Sequence, residues 1–197
     1  VAVIGPNANF CRFGTYSGKP SIHITPLEGI KSLIPDANVT YSQGTTILET
    51  ELPTMPNNMF YTLDGSPGVK AEYFKGFDIK KKPDLVRIEK SPNISWEFDG
   101  TPDSTVFEPN FFSVRFSGNI VVKKSGSYKI NVNGIDGLKF YFQGKKVIDK
   151  VSDNYSHTTF KTSYLNKGTQ YPFSIEYFED EGWGEVRLGI SEIKEGL

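Results

Sequence analysis

Ser125 to Asp149 reads SGSYKINVNGIDGLKFYFQGKKVID. Tyr128, Ile130 and Val132 alternate with Lys129, Asn131 and Asn133; beyond a turn, Leu138, Phe140 and Phe142 alternate with Lys139, Tyr141 and Gln143. Apolar side chains at every second position mark a strand with one buried face. Gln143-Gly144-Lys145-Lys146 then makes a second tight turn into Val147-Ile148. The stretch therefore predicts three antiparallel strands joined by turns and, with them, an all-β core.

Strands with turn residues between them recur on both sides of this stretch. They are predicted near residues 69–74, 94–98, 111–122, 127–133, 138–142, 145–148, 157–164, 170–179 and 185–190. That spacing is the pattern of a sandwich or barrel. Phe, Tyr and Trp are concentrated here, and aromatics at alternating strand positions are core packing before they are ligand platforms.

Upstream the pattern changes. Val1-Ala2-Val3-Ile4 is a continuous apolar run of the kind buried on both faces of a parallel sheet. Thr25-Pro26-Leu27-Glu28 predicts a helix start with a threonine cap, proline in the first turn and a glutamate bonding back; the helix should run to about Leu33, before Pro35. Asn38-Val39-Thr40-Tyr41 completes a β-α-β unit. Between this unit and the strands, Pro53, Pro56 and Pro67 with Asn57, Asn58, Asp64, Gly65 and Ser66 read as a linker, pinned to a domain surface by Met55, Met59, Phe60 and Tyr61. The domain reading is 1–52, linker 53–67, β-sandwich 68–192 and return linker 193–197.

Composition narrows the function. A net charge of −1 over 197 residues, with the two signs interspersed, leaves no footprint for nucleic acid or an anionic membrane. The single cysteine, Cys11, rules out an internal disulfide or a cysteine-built zinc cluster. No apolar run has the length of a membrane span, and no signal peptide is visible. Gly5 is followed by Pro6, with the helix some twenty residues later, so the glycine spacing of a dinucleotide fingerprint is missing.

Two resemblances carry the reading further. The order S-G-x-Y-x-I, a Gly-Ile-Asp-Gly turn and L-x-F-x-x-x-G-K-x-V-I-D, with Val69-Lys70-Ala71-Glu72-Tyr73-Phe74 and Phe112-Ser113-Val114-Arg115-Phe116-Ser117-Gly118, is similar to the protective-antigen domain over roughly Gly68 to Ile190. That domain is a β-sandwich of bacterial toxins, yeast adhesins and glycosidases. Val1-Ala2-Val3-Ile4-Gly5-Pro6-Asn7-Ala8-Asn9, Gly14-Thr15-Tyr16-Ser17-Gly18, Thr25-Pro26-Leu27-Glu28-Gly29-Ile30 and Val39-Thr40-Tyr41 resemble the start of the second domain of glycoside hydrolase family three. Some members of that family carry a protective-antigen domain inserted in this α/β sandwich. The resemblances imply a mainly β chain: an antiparallel β-sandwich of protective-antigen type, preceded by a partial β-α-β segment of an α/β sandwich.

The same resemblance implies a parent enzyme that is a β-xylosidase or β-glucosidase. A retaining glycosidase needs two carboxylates about 5–5.5 Å apart; in this family the nucleophile precedes Val1 and the acid/base follows Leu197. The chain is expected to be an inactive fragment with no catalytic residue, cofactor or metal of its own. The inserted sandwich would shape substrate or aglycone specificity, the alternatives being a carbohydrate-binding module without catalytic role and a structural or oligomerisation domain. Its partners would be an oligosaccharide or plant polysaccharide fragment, the catalytic barrel and, in the structural case, a second copy, with export suggested by relatives.

Four residues are candidates for contacting sugar. Trp183 and Asp180 lie in the polar loop Glu179-Asp180-Glu181-Gly182-Trp183-Gly184. An aromatic face stacks on a sugar ring and a carboxylate accepts its hydroxyl hydrogens; the alternative is a tryptophan folded over the sandwich edge. Tyr155, beside His157, occupies a second such loop, and Tyr16 lies in the Gly14–Gly18 loop that the resemblance sets near the barrel. His23 reads as a loop histidine. Sugar-binding adhesins of the protective-antigen type hold calcium with paired aspartates, and here Ile135 precedes Asp136, so Asp136 is expected to cap its turn instead. Asn-x-Ser/Thr occurs at Asn38, Asn93 and Asn154, a number that chance supplies.

Overall fold

The computed structural model describes residues 1–11, 21–44, 52–96, 100–150 and 156–193, the side chains of residues 156 and 157 excepted. The chain divides into two compact units, Val1–Glu49 and Thr50–Leu197.

In the first unit, β1 (Ala2–Ile4) pairs in parallel with β2 (Thr40–Ser42), and α1 (Pro26–Leu33) connects them. The capping box is present in full. Glu28 N–H donates to Thr25 Oγ1 at 3.2 Å, and Thr25 N–H donates to Glu28 Oε2 at 2.7 Å. The Thr25 backbone bond, with the Thr25 hydroxyl, holds the Glu28 carboxyl below its ordinary pKa. Thr25→Ala is expected to cost roughly 1 kcal/mol of local helix stability, read as faster amide exchange across α1 with the sandwich unchanged. The opening strand differs from its reading as buried on both faces: Val1 is 62% and Ile4 69% exposed, as are Ile22, Ile24 and Leu33 in large part. The described strands and helix offer too little surface to cover them, and among the described residues of the unit Leu27 is the buried apolar one.

The second unit is an antiparallel β-sandwich. In chain order its strands are β3 (Phe60–Tyr61), β4 (Val69–Lys75), β5 (Leu85–Glu89), β6 (Ile94–Trp96), β7 (Phe112–Val121), β8 (Tyr128–Gly134), β9 (Gly137–Phe142), β10 (Lys145–Lys150), β11 (Ser156–Lys161), β12 (Gln170–Glu179) and β13 (Gly184–Glu192). One sheet runs β10-β9-β12-β7-β4-β5, with β3 also paired to β7; the other runs β11-β8-β13-β6. Between them lie Tyr73, Phe112, Phe116, Phe140, Ile175 and Tyr177 from the first sheet and Ile130, Val132 and Leu188 from the second, all fully buried.

The deciding stretch folds with one difference from its reading. β9 and β10 form the hairpin, closed by Gln143 and Gly144 at φ 51° and 74°, the paired left-handed conformations of a type I′ turn. β8 and β9 are not a hairpin: they lie in opposite sheets, and Gly134-Ile135-Asp136-Gly137 is the corner between them. Alternation reports which face is buried, and two strands facing one core from opposite sides carry the same pattern as two in one sheet. The corner is tight, since a Cβ on Gly137 would sit 3.2 Å from the Phe178 side chain.

Two further differences concern segments that sequence reading left out of the sheets. The 53–67 stretch, read as a linker, is folded into the sandwich: Met55, Met59 and Phe60 are buried, and β3 pairs Phe60 with Ile120 and Tyr61 with Asn119. Gly118 admits this chain, for a Cβ there would lie 2.5 Å from the Tyr61 carbonyl oxygen. Prolines on either side confine the ladder to two residues, which is enough to dock three large apolar side chains. β5 went unpredicted because its period is inverted. Val86 and Ile88 point outward and are about half exposed, while the inner Glu89 carboxylate accepts from Tyr73 Oη at 2.7 Å and pairs with Arg87.

The incoming and outgoing chain run side by side. Thr54 bridges Gly189 in antiparallel fashion, Ile190 N–H donates to the Pro53 carbonyl at 2.8 Å and Met55 N–H to the Leu188 carbonyl at 2.8 Å.

Candidate functional site

At the end of the sandwich where β8 turns into β9, four backbone segments are tied together. Asp136, at φ 68°, accepts at Oδ2 from Asp180 N–H at 3.1 Å, joining the β8–β9 corner to the β12–β13 turn. Asn110 Oδ1 accepts from Gly182 N–H at 3.0 Å, and Phe111 N–H donates to the Asp180 carbonyl at 3.2 Å. Gly76 N–H donates to the Phe111 carbonyl at 2.7 Å, bringing in the segment after β4. These bonds are made by loops anchored on core strands, so the rim is set before any ligand arrives.

Trp183 and Asp180 are both on this rim. Trp183 is half-buried, and its indole N–H donates to Ser95 Oγ on edge strand β6 at 3.1 Å. With the N–H committed, what the side chain can offer a ligand is its ring. Asp180 is exposed, and its backbone is held at both N–H and carbonyl. Tyr155 and Tyr16 lie outside the described residues. The strands flanking the Tyr155 loop end with Lys150 opposite Leu138 and Ser156 opposite Gly134, beside the same corner. His23 is exposed just ahead of α1.

Under the rim is a buried carboxyl that sequence reading did not single out. Glu179 is 2% exposed; Oε2 accepts from the Tyr177 hydroxyl, and Oε1 has no partner among the described residues. Burial pushes its pKa up to about 7, with Asp136 and Asp180 adding to the rise and the Tyr177 bond opposing it. Burial pushes the Tyr177 phenol well up too, and Trp96 stacks on that ring at 5.6 Å and 13°. Gly184 closes the pocket, since a Cβ there would overlap Glu179 Oε2. A carboxyl so enclosed cannot reach a glycosidic oxygen; it shapes the turn that carries Asp180 and Trp183. Its inward place at the end of β12, in step with Phe173, Ile175 and Tyr177, was the signal available in the sequence.

Asp136, expected to cap its turn, reaches across to the neighbouring one. It is 7% exposed and committed to the Asp180 amide, and Ile135 adds no side-chain oxygen, so the corner does not fit calcium, which takes six or more. Among the described residues, no group of three or more His, Cys, Asp or Glu side chains is arranged to hold a metal.

Two exposed phenylalanines complete the rim. Phe111, read as the first residue of a strand, stands before β7 at φ 50°, next to Asn110 at φ 66°, and is 53% exposed. Its ring lies 6.4 Å from that of Phe77, itself 47% exposed and 6.4 Å from Phe178. The turn residues Pro109-Asn110 before Phe111 were the signal that the strand starts later.

Known proteins with related sequences and structures fall into more than one class. The xylan 1,4-beta-xylosidase of Xylanibacter ruminicola is 26% identical over 198 residues, covering 93% of this chain and 21% of that relative, so the chain spans about a fifth of its length. A beta-glucosidase structure from Kluyveromyces marxianus is similar over 98% of this chain and 25% of its own, at 20% identity and a TM-score of 0.62. An anti-sigma factor domain-containing protein from Clostridium clariflavum is similar over 66% of this chain and 43% of its own, at 26% identity and a TM-score of 0.58. A family model described as the PA14 domain matches residues 65–195, most of the sandwich unit, and by that match the chain belongs to the PA14 domain family.

Proposed function

We propose that this chain is an accessory segment of a family-three β-glycosidase that removes terminal β-linked xylose or glucose from oligosaccharides. The β-α-β unit is the opening of the enzyme's C-terminal α/β domain, and the sandwich is inserted in it. The sandwich rim narrows the choice of aglycone, with Trp183, Asp180 and Tyr155 contributing the wall; Tyr16 is a separate substrate-contacting candidate of the first unit. The chain carries no turnover of its own.

The observation that carries this reading is the extent of the glycosidase matches. They span 93% and 98% of the chain and so take in both units, whereas the anti-sigma match, at 66%, is too short to include both in full. The paired strands at residues 53–55 and 188–190 suit a domain hung from a host at one point. The open apolar residues of the first unit suit a segment that packs against more of an α/β sandwich.

The test uses the full-length parent enzyme. Trp183→Ala is expected to change the kcat/KM ratio between oligosaccharides and an aryl β-glycoside by roughly fivefold, the worth of one aromatic contact of about 1 kcal/mol. Turnover of the aryl substrate should stay within twofold. An unchanged ratio removes Trp183 from the wall. Removing residues 52–193 together, rather than 68–190, keeps Phe60 and its neighbours from being left without their core. Loss of oligomeric state with unaltered selectivity would overturn the specificity role.

A further inference from the structure

We infer that the cleft in front of Phe111 is a subsite for one neutral pyranose ring, separate from the Trp183 face; the sugar class rests on the functional reading above. The cleft has a volume of about 270 Å³ and is lined by Lys75, Val106, Glu108, Pro109, Asn110 and Phe111. That is just below the usual range of small-molecule pockets and leaves room for a single ring rather than a chain of them.

Three observations point to a ligand. Phe111 is a bulky residue at φ 50°, a conformation that glycine or asparagine adopts with far less strain, and Asn110 beside it is left-handed as well. Strain of this kind persists where surrounding structure enforces it, and it clusters at binding sites. Here the enforcement is visible: Phe111 N–H is held by Asp180, its carbonyl by Gly76, and Asn110 by Gly182. The strain does not serve the core. Phe112 fills the core, while the Phe111 ring is 53% exposed.

The second observation is that the cleft is preformed. Phe107, on its inner side, is buried at 6.3 Å from Tyr73 and 6.2 Å from Phe112, and its N–H donates to the Asp103 carbonyl at 2.8 Å. The third is the chemistry of its edge. The ammonium of Lys75, which has Asp84 as an electrostatic neighbour, and the carboxylate of Glu108 are both exposed at the mouth. A donor and an acceptor beside an aromatic face match a ring with hydroxyls around its edge and C–H groups on its face. An apolar ligand would leave the two charges unused, and an anionic one would meet Glu108.

Titration of the ¹⁵N-labelled 197-residue chain with xylobiose, and separately with cellobiose, tests this. One of the two sugars is expected to shift the amides of Gly76, Asn110 and Phe111 at millimolar concentrations. Phe111→Ala and Phe111→Asn should each weaken that response at least tenfold, while Trp183→Ala leaves it in place. Phe111→Asn, which suits the left-handed backbone, should melt at the same temperature as the parent chain or higher. Silence at these three amides with both sugars overturns the subsite. So does loss of the response in Trp183→Ala but not in the Phe111 variants, or a clearly lower melting temperature for Phe111→Asn, which would make the ring a packing residue. Each of these results leaves the aglycone-wall reading standing, because that reading is decided by selectivity of the parent enzyme.

Discussion

Tyr177→Ala is expected to destabilise the sandwich by about 4 kcal/mol, the scale of emptying a large aromatic site in a closed core. Tyr177 is fully buried, lies in β12 between β9 and β7, and stacks on Trp96. Alanine removes that ring and also the hydroxyl that donates to Glu179, leaving both carboxyl oxygens of a buried group without a donor. Tyr177→Phe separates the two contributions. It keeps the ring and loses the hydrogen bond, and it should cost about 1–3 kcal/mol. Urea unfolding of the chain measures both. A loss under 1 kcal/mol for Tyr177→Ala would mean that the two sheets close over the site.

Glu179 gives the second large effect, as a dependence on pH. Its folded pKa of about 7 lies above its ordinary value of 4.5, so between these values the native protein holds a proton that the unfolded chain has released. The contribution of this group to stability is therefore fully present below about pH 4.5 and is lost as pH rises through 7. Across that window the loss is up to roughly 3 kcal/mol, set by the shift. Asp136 and Asp180 add to it because deprotonation puts another negative charge beside theirs at this end of the sandwich. Glu179→Gln keeps an acceptor for the Tyr177 hydroxyl and cannot ionise. It is expected to flatten the fall between pH 5 and 8 and to be more stable than the parent chain at pH 8. A parent chain as stable at pH 8 as at pH 5 would place the Glu179 pKa near its ordinary value.

The same two residues show why the rim was only partly legible. Trp183 and Asp180 stand out in the sequence as candidates because a large ring and a carboxylate in a glycine-flanked turn have no local reason to be there. Glu179, one residue earlier, reads as one more charge in an acidic loop. Its step with Phe173, Ile175 and Tyr177 marks it as inward-facing, but that a carboxyl is closed over there is decided by the pairing of β12 with β7 and β9, which joins residues far apart in sequence. Phe111 was hidden differently. It precedes an alternating run and looks like its first member; Pro109-Asn110 hint that the strand starts later, and the backbone conformation shows Phe111 facing solvent.

Strand number and boundaries were mostly written in period two, since a face is buried or not whichever sheet it belongs to. Gln170–Glu179 and the Thr25 capping box read from sequence as they stand in the structure. The mainly β, antiparallel class followed from these local signals alone. What the tertiary structure decided was partnership: that β8 and β9 face each other across the core, that Met55, Met59 and Phe60 belong to the sandwich, and that β5 turns its apolar side outward. Alternation records burial without naming the neighbour that provides it. The neighbour is chosen by contacts between distant parts of the chain, and those exist only once the chain has folded.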